Sequence, residues 1–557
     1  MENKKYIIGT KVIMKKQHPC GTNLWEITRL GADIKIKLHP LTEFIVLIAV
    51  VIVLSAILSL LNISVTYNTI NTQTNKLEQT IITVTNMLSY DGVKNMISNA
   101  ATNFISFTTL STLIITLIGI KVSEATGLIQ SFMKRRLSKF NPKFITFLIM
   151  ILAIFSSIIN EVGYALLIPL GALLFLFNGR NPLAGVATAF AGVAFGYSIS
   201  FFVGSIDINL IPYTMKAARL IDETFYVRMT SNLYIMFPTC ILLALVGTII
   251  TEKIVVKKLG RYISKKHDEL GQTKEIEYLD LQYEEQKKIK EEEREKKGSK
   301  YAKISAVIVV LIFLYMIVPG LPLSGMLLDL NETAYVDQLF GENSYFQDGF
   351  TYMLALFFII TGIAYGIGAK TIKNDKDLIE KTSEGLSSLG MLLLMIFFAS
   401  QFISIFKETN IPTIIVVALT NFLKMLPLSG LALLIISIVI IAIANIFMPT
   451  SMSKWTIISP VMVPMLMQLN ISPQFSQFIF RAAESMTNGI TPLLAYFIVY
   501  LGYLNIYNKD KEKSFGIRDG IKLMMPYFIW MTLAWILIII SWYLIGLPLG
   551  PKVYPTL

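Results

Sequence analysis

The chain has 557 residues, of which 54% are hydrophobic and only 15% charged, with a mean hydropathy of +0.61. A soluble protein carries charge on roughly a quarter of its residues, so this composition excludes a water-covered surface and requires a lipid bilayer as partner. Two distant cysteines (Cys20, Cys240) and three histidines (His18, His39, His267) without HExxH spacing exclude a disulfide framework and a thiolate metal cluster, and no GxxxxGK[ST] run could cradle a nucleotide.

In chain order, residues 1–40 are polar and basic, lack an early apolar stretch of the secretory type, and are expected to form a cytoplasmic extension. The net charge of +12 is read as loops on the inner face rather than as a nucleic-acid surface. The first membrane half, 41–251, opens with a crossing over 44–61, followed by a polar stretch over 63–100 that is expected to be extracytoplasmic or interfacial. Apolar stretches follow near 101–130, 144–178, 184–206 and 233–250, separated by inward-facing basic loops at Lys134, Arg135, Arg136, Lys139, Lys143 and Arg180. Residues 252–303 turn to mixed charge and predict a solvated helical linker in the cytoplasm. The second half, 304–557, carries apolar stretches near 304–319, 349–369, 389–406, 411–426, 429–448, 456–469, 490–507 and 524–547. The pattern predicts an all-α polytopic membrane protein with about nine full crossings of ~20 residues each.

Two apolar runs are interrupted at corresponding places. The first breaks at Asn160, Glu161 and Gly163, the second at Met448-Pro449-Thr450-Ser451-Met452-Ser453-Lys454-Trp455, and each then resumes with a phrase ending in proline, ALLIPL (165–170) and VMVPML (461–466). Paired broken helices mark the binding site of many secondary transporters; two kinked helices packed only for stability would leave the same pattern. An ionisable group in hydrocarbon costs at least ~2.5–3.5 kcal/mol and needs a partner or a purpose. Asp207 ends a glycine-rich segment, Glu161 sits in the first break, and Arg481 and Glu484 lie three residues apart on one helix face. Mutual neutralisation of Arg481 and Glu484, and an interfacial loop position for Asp207, are the structural alternatives. Ser451-Met452-Ser453-Lys454 fits the S-x-x-K of penicillin-binding enzymes, but the companion S-D-N and K-T-G elements are absent. With no clustered nucleophile and base, an enzyme is not expected.

The phrases NEVGYALLIPLGALLF (160–175), GRNPLAGVATAFAGVAFGYS (179–198), VGSID (203–207), VGTIITEKIV (246–255), FFASQFISIFKETNI (397–411), KWTIISPVMVPMLM (454–467), RAAESMTNGITPLLAYF (481–497) and GLPLGP (546–551) resemble the AbgT family of p-aminobenzoyl-glutamate transporters, in order over residues 38–557. The resemblance implies two inverted-repeat halves with re-entrant helical hairpins near 101–131 and 389–426. It also implies a homodimer in a bacterial plasma membrane and secondary transport or antimetabolite efflux of p-aminobenzoyl-glutamate and related folate-pathway or sulfonamide-like compounds. No cofactor is expected beyond a coupling ion, Na⁺ or H⁺. Carried over by position, Trp455, Pro473, Arg481, Glu484, Asn488 and Pro492 become substrate-binding candidates, and Asp207, with Asn160 and Glu161 of the first break, ion-coupling candidates. Arg481 suits bidentate recognition of a carboxylate, and Trp455 suits stacking on an aromatic ring. Glu484 stands where relatives commonly have Asp; the breaks read Ser156-Ser157-Ile158 where relatives often show Ser-Asn-Thr, and MPTSMS where they are richer in Gly and Ala. Residues 15–37 separately resemble the start of a small cysteine-containing family of unknown function, without the paired cysteines that would follow.

The inward assignment is testable. Cysteines introduced near Lys265 and Lys288 should resist an impermeant thiol reagent added to intact cells; efficient labelling there would reverse it.

Overall fold

The computed structural model describes residues 11–13, 24–26, 38–70, 76–135, 140–158, 162–199, 201, 204–260, 262, 278–341, 343–387, 389–428, 430–509 and 514–557, with 278–289 described by their backbone. Residues 1–39 and 40–557 form separate units. In the first, β1 (Lys11–Ile13) pairs antiparallel with β2 (Leu24–Glu26).

The second unit is almost wholly helical. It opens with α1 (Pro40–Leu60) and a hairpin of β3 (Ser64–Ile70) with β4 (Leu77–Thr83), then α2 (Tyr90–Ile105), α3 (Thr108–Ala125), α4 (Leu128–Arg135), α5 (Pro142–Phe155), α6 (Val162–Phe177), α7 (Pro182–Phe195), α8 (Ser205–Ala218), α9 (Leu233–Ile250) and α10 (Val256–Leu259). Helix α11 (Tyr278–Ile317) begins inside the charged stretch 252–303 and continues into the second half, followed by α12 (Tyr335–Phe340), α13 (Tyr345–Ala369), α14 (Asp375–Ser387), α15 (Gly390–Glu408), α16 (Ile411–Met425), α17 (Gly430–Phe447), α18 (Ser451–Met467), α19 (Pro473–Asn488), α20 (Phe497–Ile506) and α21 (Ile517–Ile545). Among the described residues eight helices are long and apolar enough to cross a bilayer, and five more are apolar but shorter. The outer faces of α1, α11 and α21 expose residues such as Val50, Ile57, Val307, Ile308, Leu311, Leu533 and Leu537, an apolar surface suited to a membrane or to another protein rather than to water.

The polar stretch 63–100 contains structure that its composition did not announce. The β3–β4 ladder runs from Ser64 opposite Thr83 to Ile70 opposite Leu77, and Asn410, at the left-handed turn between α15 and α16, donates to Thr83 O at 3.1 Å. The run 490–507 is helical only from Phe497, because Thr491 and Pro492 sit in a turn where the Thr491 hydroxyl donates to Ile446 O at 2.7 Å. A proline at this place also pushes Thr491 away from helical backbone.

Helices start where a capping side chain precedes a proline. Asn141-Pro142, Asn181-Pro182 and Ser472-Pro473 open α5, α7 and α19, with the cap oxygen accepting from Lys143 N, Leu183 N and Phe475 N at 3.0, 3.1 and 3.3 Å. Each motif satisfies a free amide of the first turn and removes another. Glu43 of α1 performs the same service for α21, accepting from Ile517 N at 2.7 Å.

Two three-helix modules recur. In the first, α5 stops at a 3₁₀ turn (Ser156–Ile158), α6 resumes at Val162, and α7 packs against both. In the second, α17 stops at Phe447, α18 resumes at Ser451, and α19 packs against both. Every residue of α7 and of α19 is buried. Helix α7 fits because it is built of small residues: a Cβ on Gly185 would stand 2.1 Å from Gly171 O of α6, and one on Gly192 would stand 2.5 Å from Ala153 Cβ of α5. The halves meet through aromatic stacks, Phe190 on Tyr500 at 4.3 Å and Tyr164 on Tyr496 at 4.9 Å. The C-terminal segment returns to the second module. Ser472 N donates to Pro555 O and the Ser472 hydroxyl to Tyr554 O, both at 2.8 Å, while Leu549 O accepts from Tyr234 N at 2.7 Å.

Gly185→Leu should lower the melting temperature sharply or prevent accumulation, because the contact it invades is backbone and overpacking already costs about 1–3 kcal/mol where side chains can yield. Gly349→Ala in α13, with open space at the Cβ, should be neutral or stabilising by up to ~1 kcal/mol. Thermal unfolding of both variants in detergent makes the comparison.

Candidate functional site

The site grows from the second break. Pro449 disfavours helical backbone at Met448, so α17 ends with free carbonyls and α18 begins afresh at Ser451. The first turn of α18 carries Lys454 and Trp455 inward, both fully buried. Facing them is α19, where Gln477, Arg481, Glu484 and Asn488 follow at helical spacing and form a polar stripe on a helix with no exposed residue.

Four charges meet there. Arg481 Nε donates to Asp207 Oδ1 at 3.2 Å, and Arg481 Nη1 to Glu484 Oε2 at 3.1 Å and to the Ser451 hydroxyl at 3.3 Å. Arg481 Nη2 donates to Tyr197 O at 3.0 Å, and the guanidinium lies 5.0 Å from the centre of the Tyr197 ring. The other oxygen of Glu484 lies 2.8 Å from Lys454 Nζ, which also donates to Met448 O at 3.0 Å and to Asn445 Oδ1. The Asn445 amide nitrogen is 2.8 Å from Asn488 Oδ1 and 3.0 Å from Thr487 Oγ1. Two cations and two carboxylates thus sum to zero. Such a group is tolerated in hydrocarbon because each charge is paired and hydrogen-bonded.

Asp207 comes from the first turn of α8, in the half opposite Arg481 and Glu484. Its carbonyl accepts from Gln477 Nε2 at 3.1 Å, Gln477 Oε1 accepts from Thr214 at 2.5 Å, and Thr214 accepts from Trp455 Nε1 at 2.9 Å. This chain fixes the Trp455 indole, whose ring lies 4.4 Å from that of Phe480. The halves are also joined where Ser198 N donates to Ser485 Oγ at 3.1 Å and the Ser198 hydroxyl bonds Arg481 O.

The structure therefore brings Asp207, Trp455, Arg481, Glu484 and Asn488 into one buried cluster. Pro473 lies two turns away as the opening residue of α19, and Pro492 lies in the turn beyond its end. Asn160 and Glu161 lie outside the described residues. Sequence reasoning does not single out Lys454, Asn445, Ser198, Gln477 or Thr214 as site residues. Lys454 had a signal, since a lysine inside an apolar phrase needs a partner, but it was weighed only as part of an S-x-x-K match.

Residues 25–557 match the AbgT transporter family model. The chain belongs to the AbgT family. It is 28% identical over 532 residues to the p-aminobenzoyl-glutamate transport protein of Escherichia coli K12, covering 95% of this chain and 96% of that protein. Two solved structures are similar: the YdaH transporter of Alcanivorax borkumensis (26% identity, 92% of this chain and 100% of that one, TM-score 0.46) and MtrF of Neisseria gonorrhoeae, of a class of antimetabolite efflux pumps (31%, 93% and 98%, TM-score 0.46). A stretch of 37 residues is 51% identical to the uncharacterized Bacillus subtilis protein YyzM, covering 7% of this chain and about half (54%) of that protein. This AbgT-family protein is a multi-pass membrane transporter.

Asp207→Ala should cost roughly 3–5 kcal/mol, because it leaves a buried guanidinium short of charge. Asp207→Ala with Arg481→Ala should cost less than the sum of the two single changes. Denaturant unfolding in detergent measures the cycle, and additive costs would show that the pair is not coupled.

Proposed function

We propose that this AbgT-family protein is a secondary active transporter of p-aminobenzoyl-glutamate and related folate-pathway or sulfonamide-like compounds, driven by a Na⁺ or H⁺ gradient across the inner (plasma) membrane of a bacterium. The observation that carries the reading is end-to-end likeness to the E. coli p-aminobenzoyl-glutamate transport protein, together with a buried charge cluster at a broken helix. The protein acts as a homodimer with its N-terminus in the cytoplasm. An ion-coupled carrier of another organic anion, a dicarboxylate or short-chain acid, is the alternative; an integral membrane enzyme ranks below both, for want of a nucleophile and base set.

Arg481 supplies the chemistry for a carboxylate substrate, but four hydrogen bonds, to Asp207, Glu484, Ser451 and the Tyr197 carbonyl, leave it no free pair of donors for a bidentate carboxylate. A substrate carboxylate therefore binds by exchange, displacing one protein carboxylate from the guanidinium. The displaced group then carries an uncompensated charge in a low-dielectric site and must take up a cation or a proton. This exchange is a direct route from substrate binding to ion coupling, with Asp207 as the carboxylate that is released. Trp455 and Phe480 offer the aromatic wall, and Asn488 and the Pro473 and Pro492 positions set the ends of the helix that presents Arg481.

Arg481→Lys should reach the membrane yet lose most transport, since a point charge cannot hold two carboxylates in a planar fork. Trp455→Leu should weaken affinity by about tenfold or less, the range of an aromatic contact. Asp207→Asn should abolish gradient-driven accumulation while retaining exchange. Proteoliposomes given labelled p-aminobenzoyl-glutamate, a sulfonamide or succinate, under proton and sodium gradients imposed separately, measure all three. Full accumulation by Asp207→Asn would remove this residue from coupling, and succinate alone being moved would favour the alternative substrate class.

A further inference from the structure

At the second break three oxygens, two from the end of α17 and one from α19, converge on one point. Met448 O projects from the end of α17, Asn445 Oδ1 from its last turn, and Glu484 Oε1 from the facing stripe of α19. Carbonyls at the C-terminal end of an interrupted helix, where the dipole is negative, joined by a carboxylate, form the pattern with which transporters hold a monovalent hard cation. Here that point is filled by the Lys454 ammonium. It reaches in from the first turn of α18, is fully buried, donates hydrogen bonds to Asn445 Oδ1 and Met448 O, and stands 2.8 Å from Glu484 Oε1 as an ion pair.

We propose that Lys454 is a tethered cation, whose ammonium occupies a sodium-type oxygen site and lets the second break work without Na⁺. The proposal rests on reading the protein as an ion-coupled transporter, and it assigns the moving ion to the Asp207 side of the cluster. Charge supports this. With Lys454 in place the cluster sums to zero; with a neutral residue at 454 it sums to one negative charge, facing an oxygen cage of the size an ammonium vacates. A free Na⁺ restores both the charge and the coordination, with water supplying the remaining ligands. If Lys454 merely neutralised Glu484, truncation would do damage that no particular salt repairs.

The test uses the purified full-length protein in detergent, unfolded thermally in NaCl, KCl or choline chloride at constant ionic strength. The wild type should melt at the same temperature in all three. Lys454→Ala, and Lys454→Ser as a second small variant, should melt several degrees lower in choline. Both should recover in Na⁺ more than in K⁺, with a gain that rises with the logarithm of the Na⁺ concentration as expected for a ligand that binds only the folded state. Lys454→Ala combined with Glu484→Gln should lose the Na⁺ response. Should the single variants resist extraction in choline, extraction in Na⁺ followed by exchange serves instead: collapse only on exchange into choline supports the proposal, and collapse in both salts overturns it. Equal melting of both variants in Na⁺ and choline overturns it as well. So does a saturable Na⁺ stabilisation of the wild type that Glu484→Gln removes. None of these readouts uses substrate, so they stand apart from whether p-aminobenzoyl-glutamate is accumulated.

Discussion

A charge inside a bilayer has no bulk water to answer it, and this requirement for local compensation governs the centre of the molecule. Asp207, Lys454, Arg481 and Glu484 can share one dry space because each is paired with an opposite charge, and because neutral groups add hydrogen bonds: the Tyr197 and Met448 carbonyls, Asn445 and Ser451. The break between α17 and α18 is part of the same solution. An intact helix would consume the Met448 carbonyl in its own ladder, and an interrupted one leaves it for Lys454.

The two modules divide the work between packing and chemistry. Helix α7 is buried by being small and nearly featureless, so that α5 and α6 close upon it through glycine and alanine contacts. Helix α19 is equally buried but strongly polar on one side, which is affordable only because α8, α17 and α18 bring complementary groups. Contacts from Asp207, Tyr197 and Ser198 tie the chemical helix to the first half. Movement of one half against the other must therefore break or re-form bonds to Arg481.

Much of this was legible in the sequence. Long apolar runs gave the helical membrane architecture, the interruptions near 160 and 450 gave the breaks, and the i,i+3 spacing of Arg481 and Glu484 put both on one face. The joining of Asp207 was not legible, since it comes from a helix far away in sequence and no local rule brings it to Arg481. Lys454 was hidden by a coincidental motif, and Asn445 by lying in an apolar run with neutral neighbours. The β3–β4 hairpin was missed because its alternation is mild and its strands lean on the α15–α16 turn, a support that sequence periodicity does not report.

The hold of residues 549–557 on the start of α19 has a consequence for biosynthesis. Tyr554 and Pro555 supply the carbonyls that fix Ser472, and Leu549 anchors the opening of α9. These residues leave the ribosome well after α19 has been made. During translation the helix bearing Arg481 and Glu484 is thus made before the clasp on its first turn exists. The clasp makes the fastening of the start of α19 a late step, carried out by a short segment that touches none of the charges of the central cluster.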